Sequence, residues 1–278
     1  MTRGPRGPLP ILRPATNRVA RSGSICETAV MRSIANTIAH AAPSDIAARV
    51  GAIDWSQATS DLDAQGCAVL KGLLSVEECR ALASLYPDDR HFRSRVVMGR
   101  HGFGRGEYKY FSYPLPDLIG ELRPALYARL RDVADRWNEA MGLDIRYPQH
   151  HEAFLKRCHD AGQSRPTPLL LQYGAGDYNC LHQDLYGEHV FPLQVAILLS
   201  EPGRDFTGGE FVLTEQRPRM QSRPEVVPLG QGDAVAFAVH VRPVQGTRGF
   251  YRVNLRHGVS LVRSGHRHTM GVIFHDAK

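Results

Sequence analysis

The sequence predicts a mainly β fold with supporting helices (α+β), in which residues 165–278 form a double-stranded β-helix, or jelly roll. Three observations predict it: short strands separated by turn signals in the C-terminal part, helical periodicity before them, and an ordinary globular composition. The chain has 278 residues, of which 42% are hydrophobic and 22% are charged. This length and composition suffice for one large core and a supporting segment.

The stretch 31–164 is predicted to be a mainly helical supporting region with short strands. Ser75 and Glu78 have the spacing of a capping box, which predicts the start of a helix. A longer helix is predicted to begin at Pro124, because apolar residues recur at helical spacing after it. A third helix is predicted between residues 148 and 162. The apolar stripes of these helices are expected to pack against a sheet.

Eight short segments of residues 165–278 are predicted strands, because each is rich in apolar residues and is bounded by turn residues. They are 169–173, 181–185, 191–200, 210–214, 225–229, 234–240, 250–256 and 268–274. Turn residues at 245–249 predict an additional hairpin before the seventh strand. This number and spacing of strands fit a jelly roll, whose open end can hold a ligand.

The first thirty residues are predicted to be a basic disordered tail. They carry five arginines against one glutamate, together with Gly-Pro repeats, which is typical of a disordered segment and not of a secretory signal. Five minus one leaves four positive charges in the tail, out of a net charge of +6 for the whole chain. The net positive charge of the chain is therefore weak evidence for a nucleic-acid-binding surface on the folded part.

Cysteine usage and hydropathy predict a cytoplasmic protein that does not cross a membrane. The five cysteines are odd in number, irregularly spaced and contain no C-x-x-C pair. That pattern disfavours both a disulfide framework and a structural zinc site. No apolar run approaches the roughly 18 residues needed to span a bilayer.

His182 and Asp184 form an H-x-D pair within a predicted strand. Because strand side chains alternate between faces, both side chains are expected on the same side. A histidine from a distant strand would complete two histidines and one carboxylate on one face of an octahedron, which is typical of non-haem Fe(II) oxygenases. Two histidines are candidates for that third ligand. His240 lies at the more usual distance from the preceding strand, whereas His257 requires the additional hairpin.

Four motifs follow one another in the order seen in the 2-oxoglutarate- and Fe(II)-dependent dioxygenases. Tyr173, a glycine turn and Tyr178 precede the H-x-D pair. The other three motifs are 207–211 (TGGEF), 232–237 (GDAVAF) and 257–267, which runs from histidine to arginine. Together they cover roughly residues 165–278 and resemble a prolyl-hydroxylase-like bacterial branch of the superfamily. Only His257, and not His240, has a glycine and an arginine at the family's offsets.

The resemblance implies that one Fe(II) is bound by His182, Asp184 and His257. It also implies that 2-oxoglutarate binds this iron and that Arg267 binds its distal carboxylate, because a guanidinium matches both carboxylate oxygens. Tyr173 would donate its hydroxyl to the same cosubstrate. Apart from the resemblance, the position of Thr269 two residues after Arg267 on the last predicted strand indicates either a second hydroxyl for the carboxylate or an ordinary β-branched strand residue. By the same resemblance dioxygen would be the third reactant, and ascorbate is a candidate auxiliary reductant. The products would be succinate, carbon dioxide and a substrate that is hydroxylated, or demethylated through a hydroxymethyl group.

Alternation along the last predicted strand indicates which side chains share a face with Arg267. The inward residues would be Arg267, Thr269, Gly271 and Ile273. The outward residues would be His266, His268, Met270 and Val272, so that His266 and His268 are not expected to be metal ligands.

The prolyl-hydroxylase-like motifs favour a protein side chain as the substrate, and a free small acid is a further possible small-molecule substrate. A nucleic-acid dealkylating oxygenase is the first alternative, although its R-x-N-x-x-x-R motif is only weakly echoed at 252–256. A cupin-like binding module without turnover is the second.

A glycine-rich run at 102–106 predicts a mobile loop that covers the site. Candidate substrate contacts are Gln183, Tyr186, Arg252 and two arginines of a predicted basic loop at 217–223, Arg219 and Arg223.

Overall fold

Antiparallel β-sheet dominates the structure, a computed structural model that describes residues 46–185 and 187–278. The predicted tail, residues 1–30, lies outside these described residues, as does Tyr186. The described residues all fall within one compact unit.

Five helices and fifteen strands are present among the described residues. The helices are α1 (Ile46–Ala52), α2 (Trp55–Gln65), α3 (Val76–Ser84), α4 (Asp117–Ala140) and α5 (His151–Asp160). The first eight strands are β1 (Cys67–Leu70), β2 (Phe92–Val97), β3 (Gly104–Arg105), β4 (Glu107–Phe111), β5 (Leu169–Tyr173), β6 (Tyr178–His182), β7 (Leu193–Leu198) and β8 (Phe206–Gly208). The remaining strands are β9 (Phe211–Gln216), β10 (Arg223–Val227), β11 (Ala234–Ala238), β12 (Val241–Gly246), β13 (Gly249–Val259), β14 (Val262–Gly265) and β15 (Arg267–Val272).

The strands form two large sheets and one short strand pair. The major sheet has seven strands in the order β1-β11-β7-β15-β5-β4-β2. The minor sheet has the order β10-β9-β13-β6-β3, with β12 also paired to β13, and β14 pairs with β8. Consecutive strands of the barrel alternate between sheets in many places, as β5, β6 and β7 do. The predicted double-stranded β-helix is confirmed.

Strands from the predicted supporting region extend both sheets. β1 pairs with β11, and β4 pairs with β5, so residues far apart in the sequence lie side by side in the major sheet. β3 pairs with β6 in the minor sheet. The division of the chain at residue 164 stays a prediction, and these strands bring residues from before it to the cavity described below.

The helices cover one face of the major sheet. Along α4, Leu122, Leu126 and Leu130 are completely buried at helical spacing. They share one apolar cluster with Met270 and Val272 of β15. This cluster leaves the opposite face of β15 to the cavity between the sheets. No helix among the described residues is both long and apolar enough to cross a membrane.

The predicted capping box is confirmed, but the predicted start of the long helix is wrong. Ser75 Oγ accepts a hydrogen bond from Glu78 N–H, and the Glu78 carboxylate accepts one from Ser75 N–H, 2.8 Å away. α4 begins at Asp117 and contains Pro124 in its interior. Although an interior proline removes a backbone hydrogen bond, the buried stripe starts at Ile119 and continues through the proline. Burial of this stripe therefore outweighs the helix-breaking effect of Pro124.

The ends of several predicted strands are also corrected. β6 starts at Tyr178 and ends at His182, whereas the sequence predicted 181–185. Asp184 therefore lies in the turn after the strand and not within it. The sequence did not predict β8 and β14, which are short and pair only with each other.

Candidate active site

Two histidines and one aspartate meet between the sheets. His182 on β6 and His257 on β13 are direct cross-strand partners, and their ring centroids are 4.2 Å apart. The two Nε2 atoms each lie 3.4 Å from one oxygen of the Asp184 carboxylate. Their candidate ligand atoms all lie within 4.8 Å of one another, so these three side chains could hold one metal ion.

The additional hairpin is what brings His257 to this point. β12 and β13 form the predicted hairpin, with Gly246 opposite Gly249 at its end. The Gln183 amide donates to Leu255 O over 2.7 Å, which fixes the turn carrying Asp184 against β13. His240 follows β11 and does not belong to the cluster among the described residues. The structure thus brings together His257, not His240, with the H-x-D pair.

Hydrogen bonds and burial set the protonation of the three side chains. His182 Nδ1 donates to Cys180 O over 2.8 Å, so its Nε2 is directed at Asp184. Burial alone would raise the pKa of Asp184, but hydrogen bonds from both histidines hold it well below its usual range. Burial lowers the pKa of His257, whereas the pKa of His182 is raised because Asp184 outweighs its burial. An ionised carboxylate beside imidazole nitrogens is the donor set that divalent transition metals prefer.

Arg267 is a buried cation without a carboxylate partner in the described part of the chain. It is 1% exposed, and its Nη1 donates to Thr269 Oγ1, while its Nε has no partner. The guanidinium carbon lies 5.6 Å from the centroid of the Tyr173 ring and 5.8 Å from that of Phe206. Burial lowers the pKa of Arg267 to about 10, so it remains charged at neutral pH. Since a buried unpaired charge is costly, this position suits an anionic ligand.

Tyr173 lies directly across the sheet from Arg267. It is fully buried, and its hydroxyl has no hydrogen-bond partner within the described residues. Burial raises its pKa to about 12, so the hydroxyl keeps its proton at neutral pH. Arg267 and Tyr173 therefore offer unused donors to a common ligand.

Two glycines allow the backbone to approach these side chains closely. Gly209 has φ +65°, and a Cβ at this position would lie 2.9 Å from Arg267 Cδ. Gly106 has φ +109°, and a Cβ there would lie 2.9 Å from Tyr173 Cδ1. Only glycine combines this conformation with the absence of a side chain. The second glycine of the TGGEF motif, Gly209, thus leaves room for the stem of Arg267.

A cavity of about 220 Å³ between the two sheets connects the cluster of His182, Asp184 and His257 with Arg267; this candidate metal-binding cluster is called the metal cluster below. The predicted inward residues of β15 all line it: Arg267, Thr269, Gly271 and Ile273. Met270 and Val272 belong to the apolar cluster on the other face, and His268 does not line the cavity. The predicted alternation along this strand is therefore confirmed.

Sequence reasoning missed several residues that line the cavity. Besides the residues already named they include aromatic side chains and one amide, Tyr108, Tyr110, Phe211, Phe237 and Gln194. Tyr108 and Tyr110 alternate along β4, and a search for period-two patterns before residue 165 could have found them. Gln194 is the single polar residue of the β7 sequence LQVAIL, which is itself a recognisable signal.

The segment 98–105, here called the rim segment, forms one edge of the cavity opening. Phe103 lines the cavity and is 47% exposed, and the His101 ring stacks on it at 5.3 Å with an interplanar angle of 24°. Arg100 and Arg105 are exposed, and neither has a carboxylate partner in the described ranges. Gly104 and Arg105 form β3 and pair with β6, so the predicted loop 102–106 contains a two-residue strand, while its mobility stays a prediction.

The sequence-predicted substrate contacts are mostly not at the cavity. Gln183 lines it, but its amide donates to a backbone carbonyl. Arg219, Arg223 and Arg252 are exposed and do not line it.

Comparison with known proteins places these observations in a family. A family profile described as "Oxygenase, catalysing oxidative methylation of damaged DNA" matches residues 106–277, more than half of the chain. An uncharacterised protein of Mycobacterium tuberculosis is 48% identical over 191 residues, which cover 68% of this chain and 82% of that protein.

Solved structures with a similar arrangement were also found. A prolyl-4-hydroxylase of Pseudomonas putida has a TM-score of 0.48 and 14% identity, with 81% of this chain and 99% of that chain covered. A 2-oxoglutarate–Fe(II) oxygenase-family oxidoreductase of Burkholderia pseudomallei has a TM-score of 0.47 and 17% identity, covering 80% and 92%. Since the family match spans the His182, Asp184 and His257 cluster and Arg267 alike, the chain belongs to this oxygenase family.

Proposed function

We propose that this oxygenase removes an alkyl group oxidatively from a damaged base in nucleic acid. The observation that carries the proposal is the rim segment, in which an exposed Phe103 with its stacked His101 stands between Arg100 and Arg105 at the cavity opening. Aromatic side chains stack on bases, and arginines bind the phosphate backbone. The description of the matching family, which names damaged DNA, supports the same substrate class.

The donor set at the metal cluster fits Fe(II). His182, Asp184 and His257 would hold it, because two imidazole nitrogens and one carboxylate are the donor set of non-haem Fe(II) oxygenases. When bound, Fe(II) supplies the chemistry that couples oxidation of 2-oxoglutarate to succinate and carbon dioxide with insertion of one oxygen atom into a substrate C–H bond. The protein contributes the correct protonation of its ligands and a partly enclosed, mainly apolar cavity.

The cosubstrate is proposed to extend from the metal towards Arg267. The guanidinium would bind the distal carboxylate, and the Tyr173 hydroxyl would donate to it, which satisfies both unused donors. Thr269, which already accepts from Arg267 Nη1, would hold the guanidinium in orientation. Ascorbate as an auxiliary reductant stays a prediction.

Charge inside the cavity argues against a free acid as the primary substrate. Among the described lining residues, Arg267 is the one arginine or lysine and Asp184 the one carboxylate. If both are engaged by cosubstrate and metal, no cation is left for a second acid. The remaining wall is aromatic and aliphatic, with Tyr108, Tyr110 and Phe237 among its members, which suits a flat and neutral ring.

The proposed reaction balances as an N-demethylation. One oxygen atom of dioxygen enters succinate and the other converts N–CH3 into N–CH2OH. The C–N bond of the hydroxymethyl group then breaks, formaldehyde leaves, and a proton returns to the base nitrogen. A base must leave the helical stack to reach such a cavity, and a stacking residue at the opening would hold the distorted strand.

The substrate class is tested by stimulated succinate release. The wild-type protein with Fe(II) and 2-oxoglutarate is offered methylated single- and double-stranded oligonucleotides, their unmethylated counterparts, proline-containing peptides and free amino acids. We expect methylated oligonucleotides to raise succinate release above the substrate-free rate, with one formaldehyde formed per base repaired. Stimulation by peptides but not by oligonucleotides would replace this proposal with protein hydroxylation.

Phe103→Ala is expected to weaken binding of a methylated oligonucleotide by roughly 5- to 150-fold. The basis is the loss of base–aromatic stacking, which contributes about 1–3 kcal/mol per base. Fluorescence anisotropy measures the affinity, and succinate release without substrate checks that the metal site is intact. Phe250→Ala is the matched control, because Phe250 is 54% exposed but does not line the cavity. Equal affinities for the two variants would remove Phe103 from the binding surface.

A further inference from the structure

We propose that Gln194 hydrogen-bonds the oxidised base inside the cavity, an inference that rests on the proposed function. Gln194 lies on β7 in the centre of the major sheet, is 4% exposed and lines the cavity. Its Nε2 is buried and has no hydrogen-bond partner among the described residues. A buried amide without a partner is costly, and the other five residues of β7 are apolar. The amide thus points to a ligand.

The position of Gln194 separates it from the cosubstrate. Thr269 of β15 is opposite Leu198 of β7, and Gln194 lies four residues before Leu198 on β7. At about 3.3 Å per residue this is roughly 13 Å along the strand. Arg267 lies two residues before Thr269 on the antiparallel strand β15, so it is displaced from this point in the direction away from Gln194. Gln194 is therefore too far from Arg267 to share its carboxylate ligand.

Gln194 instead neighbours an aromatic residue that packs on His257. Its cross-strand partner is Phe237, whose ring centroid lies 4.6 Å from that of His257. A substrate between Gln194 and the metal would contact Phe237 directly. The unused N–H donor therefore lies in the cavity, beside Phe237 and far along the sheet from Arg267, and this position suits the substrate better than the cosubstrate.

The chemistry of this end of the cavity selects the kind of group bound. Nε2–H requires an acceptor, and the surrounding wall is apolar or aromatic, with Phe237, Ile273, Leu169 and Tyr110 among its members. A nucleobase offers ring nitrogens and carbonyl oxygens on a flat neutral ring, and carboxamides are common partners of base edges. A proline ring has no such acceptor. Gln194 therefore favours a base as the oxidised group.

Gln194→Met tests the inference, because it keeps the length of the side chain and removes its hydrogen bonds. We expect the KM for a methylated oligonucleotide to rise about 10-fold, while substrate-free succinate release and the apparent affinity for 2-oxoglutarate stay at wild-type values. The midpoint of thermal unfolding should rise, because an unpaired buried amide is replaced by an apolar group. Gln172→Met is the matched control, since Gln172 lies on β5 but does not line the cavity.

The outcomes separate this inference from the proposed function. If oligonucleotides stimulate the wild type and Gln194→Met equally, the inference is overturned and the proposed function stands. If the variant loses stability and substrate-free succinate release together, Gln194 has a structural role and the inference is again overturned. If methylated oligonucleotides do not stimulate the wild-type protein, the proposed function itself fails, and with it the base that Gln194 would bind.

Discussion

Arg267→Met should weaken binding of 2-oxoglutarate by a factor between about 30 and several thousand. The substitution keeps the aliphatic stem against Gly209 and Tyr173 but removes the charge. Truncating one partner of a buried, hydrogen-bonded charge pair typically costs about 2–5 kcal/mol, and each 1.4 kcal/mol is tenfold in affinity. Succinate release as a function of 2-oxoglutarate concentration measures the effect.

Fe(II) affinity separates this prediction from general damage to the site. It should stay close to wild type in Arg267→Met, because Arg267 is not part of the metal cluster. Arg263→Ala is the control, since this exposed arginine on β14 is close in sequence and does not line the cavity. An unchanged affinity for 2-oxoglutarate in Arg267→Met would assign the carboxylate to another cation.

His257→Ala is expected to lower substrate-free succinate production at least about 100-fold. Loss of residues that only orient a metal ligand already costs 10- to 100-fold in metal affinity or activity, and His257 is proposed to be a ligand itself. His240→Ala should retain most of the activity, because His240 lies outside the cluster. Production is measured at saturating 2-oxoglutarate over a range of Fe(II) concentrations.

Both histidine variants must be shown to be folded, because an unfolded protein would also lose succinate production. The His257 ring packs against Phe211 and Phe237, at centroid distances of 6.1 and 4.6 Å, so thermal unfolding of each variant has to be recorded. A folded His257→Ala protein that still produces succinate, beside an inactive His240→Ala protein, would transfer the ligand role to His240.

Local sequence signals predicted the parts of the site that depend on local geometry. Alternation along β15 is a property of any strand, and it correctly identified Thr269, Gly271 and Ile273 as neighbours of Arg267 in the cavity. The hairpin that carries His257 was predicted from its turn residues. The sequence predicted strand ends less accurately where they depend on contacts with other segments of the chain. β6 ends two residues before Asp184, because the turn beyond it is held by Gln183 and Leu255.

Long-range pairing explains what the sequence did not reveal. Tyr108 and Tyr110 enter the cavity because β4 pairs with β5, about sixty residues later in the chain, and no local pattern predicts that pairing. Phe103 reaches the opening through the pairing of β3 with β6. The long helix likewise extends through Pro124, because burial of Ile119 and Leu122 outweighs the helix-breaking tendency of proline.

The sequence motifs favour a protein side chain as the substrate, whereas the residues at the cavity opening and on β7 favour a nucleobase. The motifs that resemble prolyl hydroxylases carry the proposed metal ligands and Arg267, and these residues would serve the same role with either substrate class. The residues that would distinguish a base from a protein side chain, Phe103 and Gln194, lie outside these motifs. Substrate preference is therefore better sought at the cavity opening and on β7 than in the motifs.

The most direct test of the metal and cosubstrate site is an anaerobic absorption titration of the wild-type protein. Binding of 2-oxoglutarate to Fe(II) through its keto and carboxylate oxygens should give a weak visible charge-transfer band only when both are present. The band should be lost in His257→Ala and should require far more 2-oxoglutarate in Arg267→Met. Absence of the band from well-folded wild-type protein with both components in excess would contradict the assignment of His182, Asp184 and His257 as the iron ligands.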